Sequence, residues 1–171
     1  VTGGTGGVGH FAIQLAKIGG AHVTATVRRP EQVKVVEEAG ADVVVVGDGA
    51  IDGPFDFVLD GVGGPVLAKA LAKLGKTGAA VVYGTTGTER LDFDLRGFYP
   101  VGGATIYGFI LFHEMGSQPA GLGLARLASL VADGRLRAPV EVEGKLQYIG
   151  PLAKKLMERS YTGKAVVHFG T

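Results

Sequence analysis

The sequence of 171 residues contains no cysteine, and its charges nearly cancel. Without cysteine there is no disulfide framework, no thiolate zinc ligand and no cysteine nucleophile. Lys and Arg number 17 against 16 Asp and Glu, so no basic field predicts nucleic-acid binding. No histidine has another at i+3 or i+4, no apolar run approaches the roughly 18 residues of a membrane span, and nothing resembles a signal peptide. We therefore expect a cytoplasmic protein without a metal site that binds neither nucleic acid nor membrane.

Glycine, by contrast, makes up 30 of the 171 residues, and three of these form a motif at the start of the chain. Gly4, Gly6 and Gly9 match GxGxxG, which turns a strand into a helix around a dinucleotide pyrophosphate. The first glycine allows a tight turn, the second lets the backbone approach the phosphates, and the third lets helix and strand pack closely. The helix N-terminus supplies free N–H groups and partial positive charge for the anion.

The residues after this motif predict the fold class. In residues 10–18, Phe11, Leu15 and Ile18 recur at helical spacing, and residues 22–27 are rich in the β-branched side chains of a strand. Strand, glycine turn, helix and strand form the first crossover of a Rossmann sheet. With 46% hydrophobic and 19% charged residues, the chain is most simply one globular domain. We predict an α/β Rossmann fold, a doubly wound and mostly parallel sheet with helices on both faces in three α/β/α layers.

Helical and extended patterns alternate through the rest of the chain. Further helices are predicted at 31–40, 65–74, 119–133 and 151–159, and further extended segments at 43–46, 55–60, 79–83, 105–111, 139–142 and 164–169. Ser117 is the predicted N-cap of helix 119–133, whose buried stripe we expect to be Leu124, Leu127, Ala128 and Val131. Strand 105–111, at the edge of the sheet, offers a surface for pairing in a homodimer.

The end of the strand at 22–27 indicates which cofactor binds. In NAD-binding proteins an acidic residue about 20 positions after the motif binds the ribose 2′-hydroxyl and repels a 2′-phosphate. Here Arg28 and Arg29 occupy that place, and the first carboxylate is Glu31. Each guanidinium can donate two hydrogen bonds to the 2′-phosphate of NADP(H). The alternative interpretation is that the two arginines are solvated side chains at a surface turn. We predict NADP(H) as the cofactor.

The chain resembles the nucleotide-binding half of the medium-chain dehydrogenase/reductase superfamily in the stretches VTGGTGGVGHFAIQLAK, AGADVVV, FDFVLDGVGG, GAAVVYGTTG and TGKAVV. Within that superfamily it is similar to the zinc-independent quinone oxidoreductase, or zeta-crystallin-like, branch, which also contains enoyl reductases. The resemblance implies hydride transfer from NADPH to a small-molecule quinone or α,β-unsaturated carbonyl (an enone). It also implies a catalytic cleft between this domain and a preceding barrel-like domain.

The resemblance further implies which residues contact the cofactor. Those implied at the pyrophosphate are Gly6, Gly7, Val8 and Gly9, and those implied at the 2′-phosphate are Arg28, Arg29 and Arg159. Those implied along the rest of the cofactor are Gly61 and Val62 near the adenosine ribose, Gly84 and Thr85 beside the nicotinamide ribose, and the backbone of Phe109, Ile110 and Leu111 at the carboxamide. Relatives often carry Lys where this chain has Gln32, so phosphate recognition depends more on the arginine pair.

The chain begins with Val1 and Thr2, where the first strand should end, and has no initiator methionine. We expect a fragment of a longer polypeptide, in which residues 1–171 form a single NAD(P)-binding domain. Residues 139–171 are expected to return and pack on the missing catalytic domain. Because the catalytic groups should lie upstream, no catalytic residue is predicted in this chain.

Two alternative functions fit parts of the sequence. Thr2, Gly3, Gly7 and Gly9 also satisfy TGxxxGxG, the glycine pattern of short-chain ketoreductases. Those enzymes use a tyrosine assisted by a lysine four residues on, one helical turn away, and no tyrosine here has a lysine at that spacing. The second alternative is a non-catalytic nucleotide-binding or dimerisation module.

Overall fold

Helices and strands alternate along the chain. The computed structural model describes residues 1–86 and 90–169. Its α-helices are α1 (Gly7–Ile18), α2 (Val33–Glu38), α3 (Gly64–Leu71), α4 (Leu95–Phe98), α5 (Leu111–Glu114), α6 (Ala120–Ala132) and α7 (Ile149–Met157). Its strands are β1 (Thr24–Val27), β2 (Val43–Val46), β3 (Phe55–Asp60), β4 (Leu74–Val82), β5 (Thr105–Gly108), β6 (Val140–Lys145) and β7 (Lys164–His168). Gly87 of the GTTG stretch, and Gly170 and Thr171 of the predicted 139–171 segment, lie outside the described residues.

Residues 1–4 join two parallel sheets into one. Strand β1 pairs with β2, and β4 lies between β3 and β5, all in parallel. On one side of residues 1–4, the Thr26 N–H donates to the Val1 carbonyl over 2.9 Å. On the other side, the Thr2 N–H donates to the Leu59 carbonyl over 3.0 Å. The order across the joined sheet is thus β2, β1, residues 1–4, β3, β4, β5. When residues 1–4 are counted as the first strand, this is the order 3-2-1-4-5-6 of a doubly wound nucleotide-binding fold.

Two apolar clusters pack helices onto this sheet. In the first, Ile13 of α1 and Val36 of α2, both fully buried, contact the buried side of β1. In the second, Leu67 and Leu71 of α3 pack on Val58 of β3 and on β4. Burying side chains of this size contributes about 1.5–3 kcal/mol each relative to exposure. The prediction of a Rossmann α/β fold is confirmed, both by this topology and by likeness to solved structures reported below.

Strands β6 and β7 form a separate parallel pair, with Val140 opposite Lys164. Hydrogen bonds from residues that precede these two strands connect the pair to α1 and to the turn before it. The Gly163 N–H donates to the Thr5 carbonyl over 3.3 Å, and Gln14 exchanges two hydrogen bonds with the backbone of Arg137, of 2.8 and 2.9 Å. The packing of residues 139–171 on a further domain stays a prediction.

The predicted strand 105–111 and helix 65–74 are both too long. Strand β5 ends at Gly108 because its partner β4 ends at Val82, whose carbonyl accepts the last bond from the Phe109 N–H over 2.8 Å. Leu111 then begins α5. Helix α3 ends at Leu71, and Leu74 is the first residue of β4, where it pairs with Phe55 and is buried as a strand residue.

The predicted packing of helix 119–133 is also wrong. Its N-cap is Pro119, whereas the Ser117 hydroxyl donates to the Glu114 carbonyl of the preceding helix. Of the predicted stripe, Leu124, Ala128 and Val131 are exposed and Leu127 is half-buried. The buried residue is Leu130, because the chain folds back after the helix and the N–H groups of 135 and 136 both donate to its carbonyl.

Candidate nucleotide-binding site

The glycine turn is shaped by contacts that leave no space for side chains. A Cβ atom on Gly9 would lie 2.4 Å from the Gly3 carbonyl oxygen and 3.0 Å from the Gly4 Cα. These are backbone atoms, so a larger residue at position 9 would force the turn itself to move. The positive φ of the turn, +61°, falls on Gly3. The tight-turn role predicted for Gly4 therefore belongs to Gly3, while Gly4 is buried against Val36 and Ile13.

The first turn of α1 presents unused N–H groups. Gly6 is the N-cap, and no side chain caps the helix. The Gly6 N–H donates to the Gly3 carbonyl, and the His10 N–H donates to the Gly6 carbonyl, both over 2.9 Å. Among the described residues, no acceptor is found for the N–H groups in between, which belong to Gly7, Val8 and Gly9. Because Val8 is 54% exposed, this helix end is open to an anion.

A cavity of about 490 Å³ lies beside this turn, at the carboxyl ends of β1 and β2 and against the turn that joins β3 to α3. This is the point where the strand order reverses, and ligands of open α/β sheets bind there at the carboxyl ends of the strands. The volume falls within the usual range of about 300–1,000 Å³ for small-molecule sites. The residues lining it are Gly3, Thr5, Thr26, Val27, Arg28, Gln32, Gly47, Asp48, Val62, Gly63, Gly64, Pro65 and Val66.

The two arginines after β1 differ in their surroundings. Arg28 lines the cavity, whereas Arg29 is not among the lining residues, and its guanidinium lies 3.0 Å from the Glu31 carboxylate. Both backbone N–H groups donate to the side-chain oxygen of Gln32 over 3.1 Å. Because Gln32 is only 7% exposed, its amide holds the arginine turn from within the protein. The structure thus places Arg28, but not Arg29, in the cavity wall.

A buried carboxylate holds the turn between β3 and α3, the opposite wall of the cavity. Asp60 is fully buried, accepts a hydrogen bond of 2.5 Å from the Thr2 hydroxyl, and accepts another of 2.9 Å from the Gly63 N–H. The Gly61 N–H donates to the Thr2 hydroxyl over 3.3 Å. Asp60 therefore links the N-terminal segment to the wall formed by Val62 and Gly63.

Tyr83 covers the same turn from β4. A Cβ atom on Gly61 would lie 2.5 Å from the Tyr83 ring and hydroxyl, so residue 61 must be small. Burial, together with the nearby Asp60 charge, raises the pKa of the Tyr83 phenol, which therefore stays protonated at neutral pH. Gly61 thus supports the wall from behind, while its neighbour Val62 faces the cavity.

The remaining predicted contacts lie beside the cavity or away from it. Thr85 is close to the cavity wall, since its methyl carbon would lie 3.6 Å from a Cβ on Gly63, and Gly84 follows the Tyr83 that packs on Gly61. Of the predicted contacts, Arg28 and Val62 line the cavity. Those that do not line it include the glycines of the GxGxxG motif, Val8, Arg29, Gly61, Phe109, Ile110, Leu111 and Arg159. Ile110 and Leu111 are 63% and 53% exposed, and Arg159 lies beyond the C-terminus of α7 with a φ of +53°.

Sequence reasoning missed three polar residues of this site. Gln32 and Asp60 carry no motif signal of their own, because their importance arises from partners distant in the chain or on the next turn. Asp48 also lines the cavity, and its carbonyl and carboxylate lie 2.8 and 3.7 Å from the Lys69 ammonium. The sequence does carry a signal for Asp48, which lies between Gly47 and Gly49 directly after the apolar run of β2, at the carboxyl end of a parallel strand.

The described residues hold neither a cluster of metal ligands nor a membrane-spanning helix. Within residues 1–86 and 90–169, no three His, Cys, Asp or Glu side chains come together as they would around a metal ion. In the same part of the chain, each helix is too short or too polar to cross a bilayer.

Fold, glycine turn and cavity together define a dinucleotide-binding class of protein, and comparison with known proteins gives the family. Residues 7–122 match the zinc-binding dehydrogenase family. The mitochondrial NAD(P)H oxidoreductase RTN4IP1 of Danio rerio is 30% identical over an alignment 185 positions long, which covers 98% of this chain and 48% of that protein. A trans-enoyl reductase of Aspergillus terreus is 30% identical over an alignment 179 positions long, which covers 96% of this chain and 48% of that protein. A mycobacterial quinone oxidoreductase structure is alike with a TM-score of 0.82 at 23% identity, over 96% of this chain and 54% of that chain.

The chain belongs to the zinc-binding dehydrogenase family, in the quinone oxidoreductase-like branch of the medium-chain dehydrogenase/reductase superfamily. The resemblance read from its sequence is thereby confirmed. The match decides against the short-chain ketoreductase alternative, whose glycine pattern this chain has but whose tyrosine and lysine pair it lacks. The chain spans about half the length of the curated relatives it matches.

Proposed function

We propose that this chain forms the NADPH-binding site of an oxidoreductase that transfers hydride to a quinone or an α,β-unsaturated carbonyl. One observation carries the proposal: Arg28 and two residues of the glycine turn, Gly3 and Thr5, line one cavity, and the turn leads directly into the uncapped N-terminus of α1. The names of the relatives, an NAD(P)H oxidoreductase and a trans-enoyl reductase, support the reaction class.

The residues present fit a dinucleotide. Three N–H groups at Gly7, Val8 and Gly9 suit the pyrophosphate, since they provide donors and the positive end of a 12-residue helix. A Cβ on Gly9 would collide with the Gly3 carbonyl oxygen. Glycine at position 9 therefore lets the start of α1 pack directly against the turn, which leaves the backbone N–H groups free to approach the phosphates. The cavity extends from this turn to Arg28, as a bound adenosine moiety requires.

The choice of NADPH over NADH follows from the charges around the arginine turn. Arg28 is the cation that lines the cavity there, and no carboxylate follows β1 until Glu31, which is paired with Arg29. The Asp48 carboxylate, which also lines the cavity, lies 3.7 Å from the Lys69 ammonium. A 2′-phosphate therefore meets a guanidinium, and the nearest acids already have cationic partners.

The protein's own contribution to the reaction is positioning. When bound, the cofactor supplies the hydride. Arg28 and the α1 N-terminus hold its 2′-phosphate and its pyrophosphate, and the walls at Val62 and Gly63 limit water and set its orientation. Thr85, beside Gly63, lies in position to continue this wall towards the nicotinamide side.

Calorimetric titration with NADPH and NADH at matched ionic strength tests the cofactor assignment. We expect tighter binding of NADPH, and a preference that disappears in Arg28→Ala but persists in Arg29→Ala. Equal affinities for the two nucleotides would contradict the phosphate argument, and no binding of either would contradict the site. The acceptor is tested by measuring NADPH oxidation in the presence of a quinone or an enone, with the protein purified from its natural source.

We also propose that β5 mediates a homodimer and that the protein is cytoplasmic. Support for the dimer comes from the exposure of all four β5 residues at the edge of the sheet, including Ile106 and Tyr107 at 43% and 44%. Light scattering on Ile106→Lys, with Leu156→Lys on α7 as the control, tests the dimer, because a charge on an edge strand discourages pairing. Cell fractionation tests the location.

A further inference from the structure

The glycine turn contains one glycine that the GxGxxG pattern does not require. Gly7 lies between the second and third glycines of the motif and is the first residue of α1. A Cβ atom at this position would lie 2.4 Å from Cε and 2.7 Å from Nζ of Lys164. The missing side chain of Gly7 therefore makes space for the end of the Lys164 side chain, which comes from the other end of the chain.

The backbone around Lys164 holds this lysine in place. The Lys164 N–H donates to the Pro139 carbonyl over 2.7 Å, and the preceding Gly163 N–H donates to the Thr5 carbonyl over 3.3 Å. Gly163 has a φ of +73°, and a Cβ there would lie 2.2 Å from the Pro139 carbonyl oxygen. The start of β7 is thus fixed against the glycine turn from two sides.

The charges at this contact are of the same sign. The ammonium of Lys164 lies against the first turn of α1, which carries the positive end of the helix dipole, and cations are disfavoured there. Within residues 1–86 and 90–169, no carboxylate lies within 4.0 Å of the Lys164 ammonium. An anion bound at Gly7, Val8 and Gly9 would satisfy the helix N–H groups and the ammonium together.

We propose that Lys164 binds the pyrophosphate of the cofactor from the side opposite the helix, so that the β6–β7 pair becomes part of the nucleotide site. This inference depends on the proposed function, because it assigns one more residue to the same site. Lys164 and Arg28 then have separate targets. The pyrophosphate is common to NADPH and NADH, whereas the 2′-phosphate that Arg28 meets belongs to NADPH alone.

Titration of the full chain with NADPH, NADH and 2′-AMP tests the inference, because 2′-AMP carries the 2′-phosphate without a pyrophosphate. Lys164→Met keeps an unbranched side chain as far as Cε and removes the ammonium group. We expect it to weaken NADPH and NADH by the same factor, about tenfold for one charge-assisted hydrogen bond, and to leave 2′-AMP unchanged. Lys164→Arg should bind close to wild type, and Lys155→Met, an exposed lysine on α7, is the matched control.

A double-mutant cycle tests the contact with Gly7. The Cβ of Gly7→Ala displaces the Lys164 side chain, so this change should weaken binding in wild type and have a smaller effect in Lys164→Met. Unchanged affinity for both dinucleotides in Lys164→Met, or a loss limited to NADPH and 2′-AMP, would overturn the assignment while leaving the proposed function intact. If the wild-type chain binds neither dinucleotide, the proposed function fails and this inference with it.

Discussion

Asp60→Asn should destabilise the protein and weaken cofactor binding together. The Asp60 carboxylate accepts hydrogen bonds from the Thr2 hydroxyl and the Gly63 N–H, and it is fully buried. An asparagine has one oxygen, so only one of these donors keeps its acceptor, and the bond that remains loses its charge. A hydrogen bond to a charged group contributes about 1.5–3 kcal/mol, and burying a neutral amide instead of a charge recovers part of this. We expect a loss of about 2 kcal/mol in the free energy of unfolding, against a total of about 5–15 kcal/mol.

Urea unfolding and NADPH titration measure the two effects. A loss of about 2 kcal/mol should lower the melting temperature by roughly 4–8 °C for a domain of this size. Binding should weaken because Gly63 and its neighbour Val62 line the cavity. Asp56→Asn, at an exposed position on the same strand, is the matched control and should change neither quantity. Surface substitutions usually change the free energy of unfolding by no more than about 0.5 kcal/mol. A change as small as this in Asp60→Asn would refute the role assigned to this carboxylate.

Three further changes separate the charges of the site and the surface. Arg28→Ala should weaken NADPH binding by about tenfold or more with little effect on NADH, whereas Arg29→Ala should affect neither; equal effects of the two changes, seen by calorimetry, would contradict the placement of Arg28 in the cavity. Gln32→Glu keeps the acceptor for both arginine N–H groups but adds a negative charge beside the 2′-phosphate, so the ratio of NADPH to NADH affinity should fall, and a constant ratio would argue against this location. The hydrogen bond from Lys17, followed by that from the Val23 N–H, holds the pKa of the Asp42 carboxyl below its ordinary value of 3.8. The ionised Asp42 therefore stabilises the folded protein above that pH, and this contribution is lost as the pH falls through the lower folded-state pKa. Asp42→Asn should flatten the acid side of a profile of folding stability measured from pH 7 to pH 2.

The elements predicted correctly were those with a strong local pattern. Strands β2 and β3 have the predicted bounds, because an apolar run and a segment rich in aromatic and apolar residues are each sufficient to indicate a strand. The start of β4 was missed because Gly75, Lys76 and Gly78 interrupt any strand pattern there, and its extended form depends on pairing with Phe55. The apolar stripe of α6 gave the wrong buried face, because periodicity indicates an apolar side without saying what covers it.

The candidate site divides in the same way. The glycine turn and Arg28 were predicted because motif and spacing are local properties of the sequence. Asp60 was not, since its partner Thr2 lies 58 residues away and the contact exists only once the sheet has formed. Arg29 was assigned with Arg28 because the sequence shows two adjacent guanidiniums, whereas the structure pairs one of them with Glu31.

The bridging position of residues 1–4 has a consequence for folding and for proteolysis. Pairing of β1 with β2 and of β3 with β4 brings together segments close in sequence, but residues 1–4 must contact both Thr26 and Leu59 before the two halves become one sheet. Non-local pairing of this kind is slow to form. Until it forms, the cavity between the halves does not exist. Proteolytic cleavage of the backbone directly after Gly4 would therefore remove the join between the two halves of the sheet.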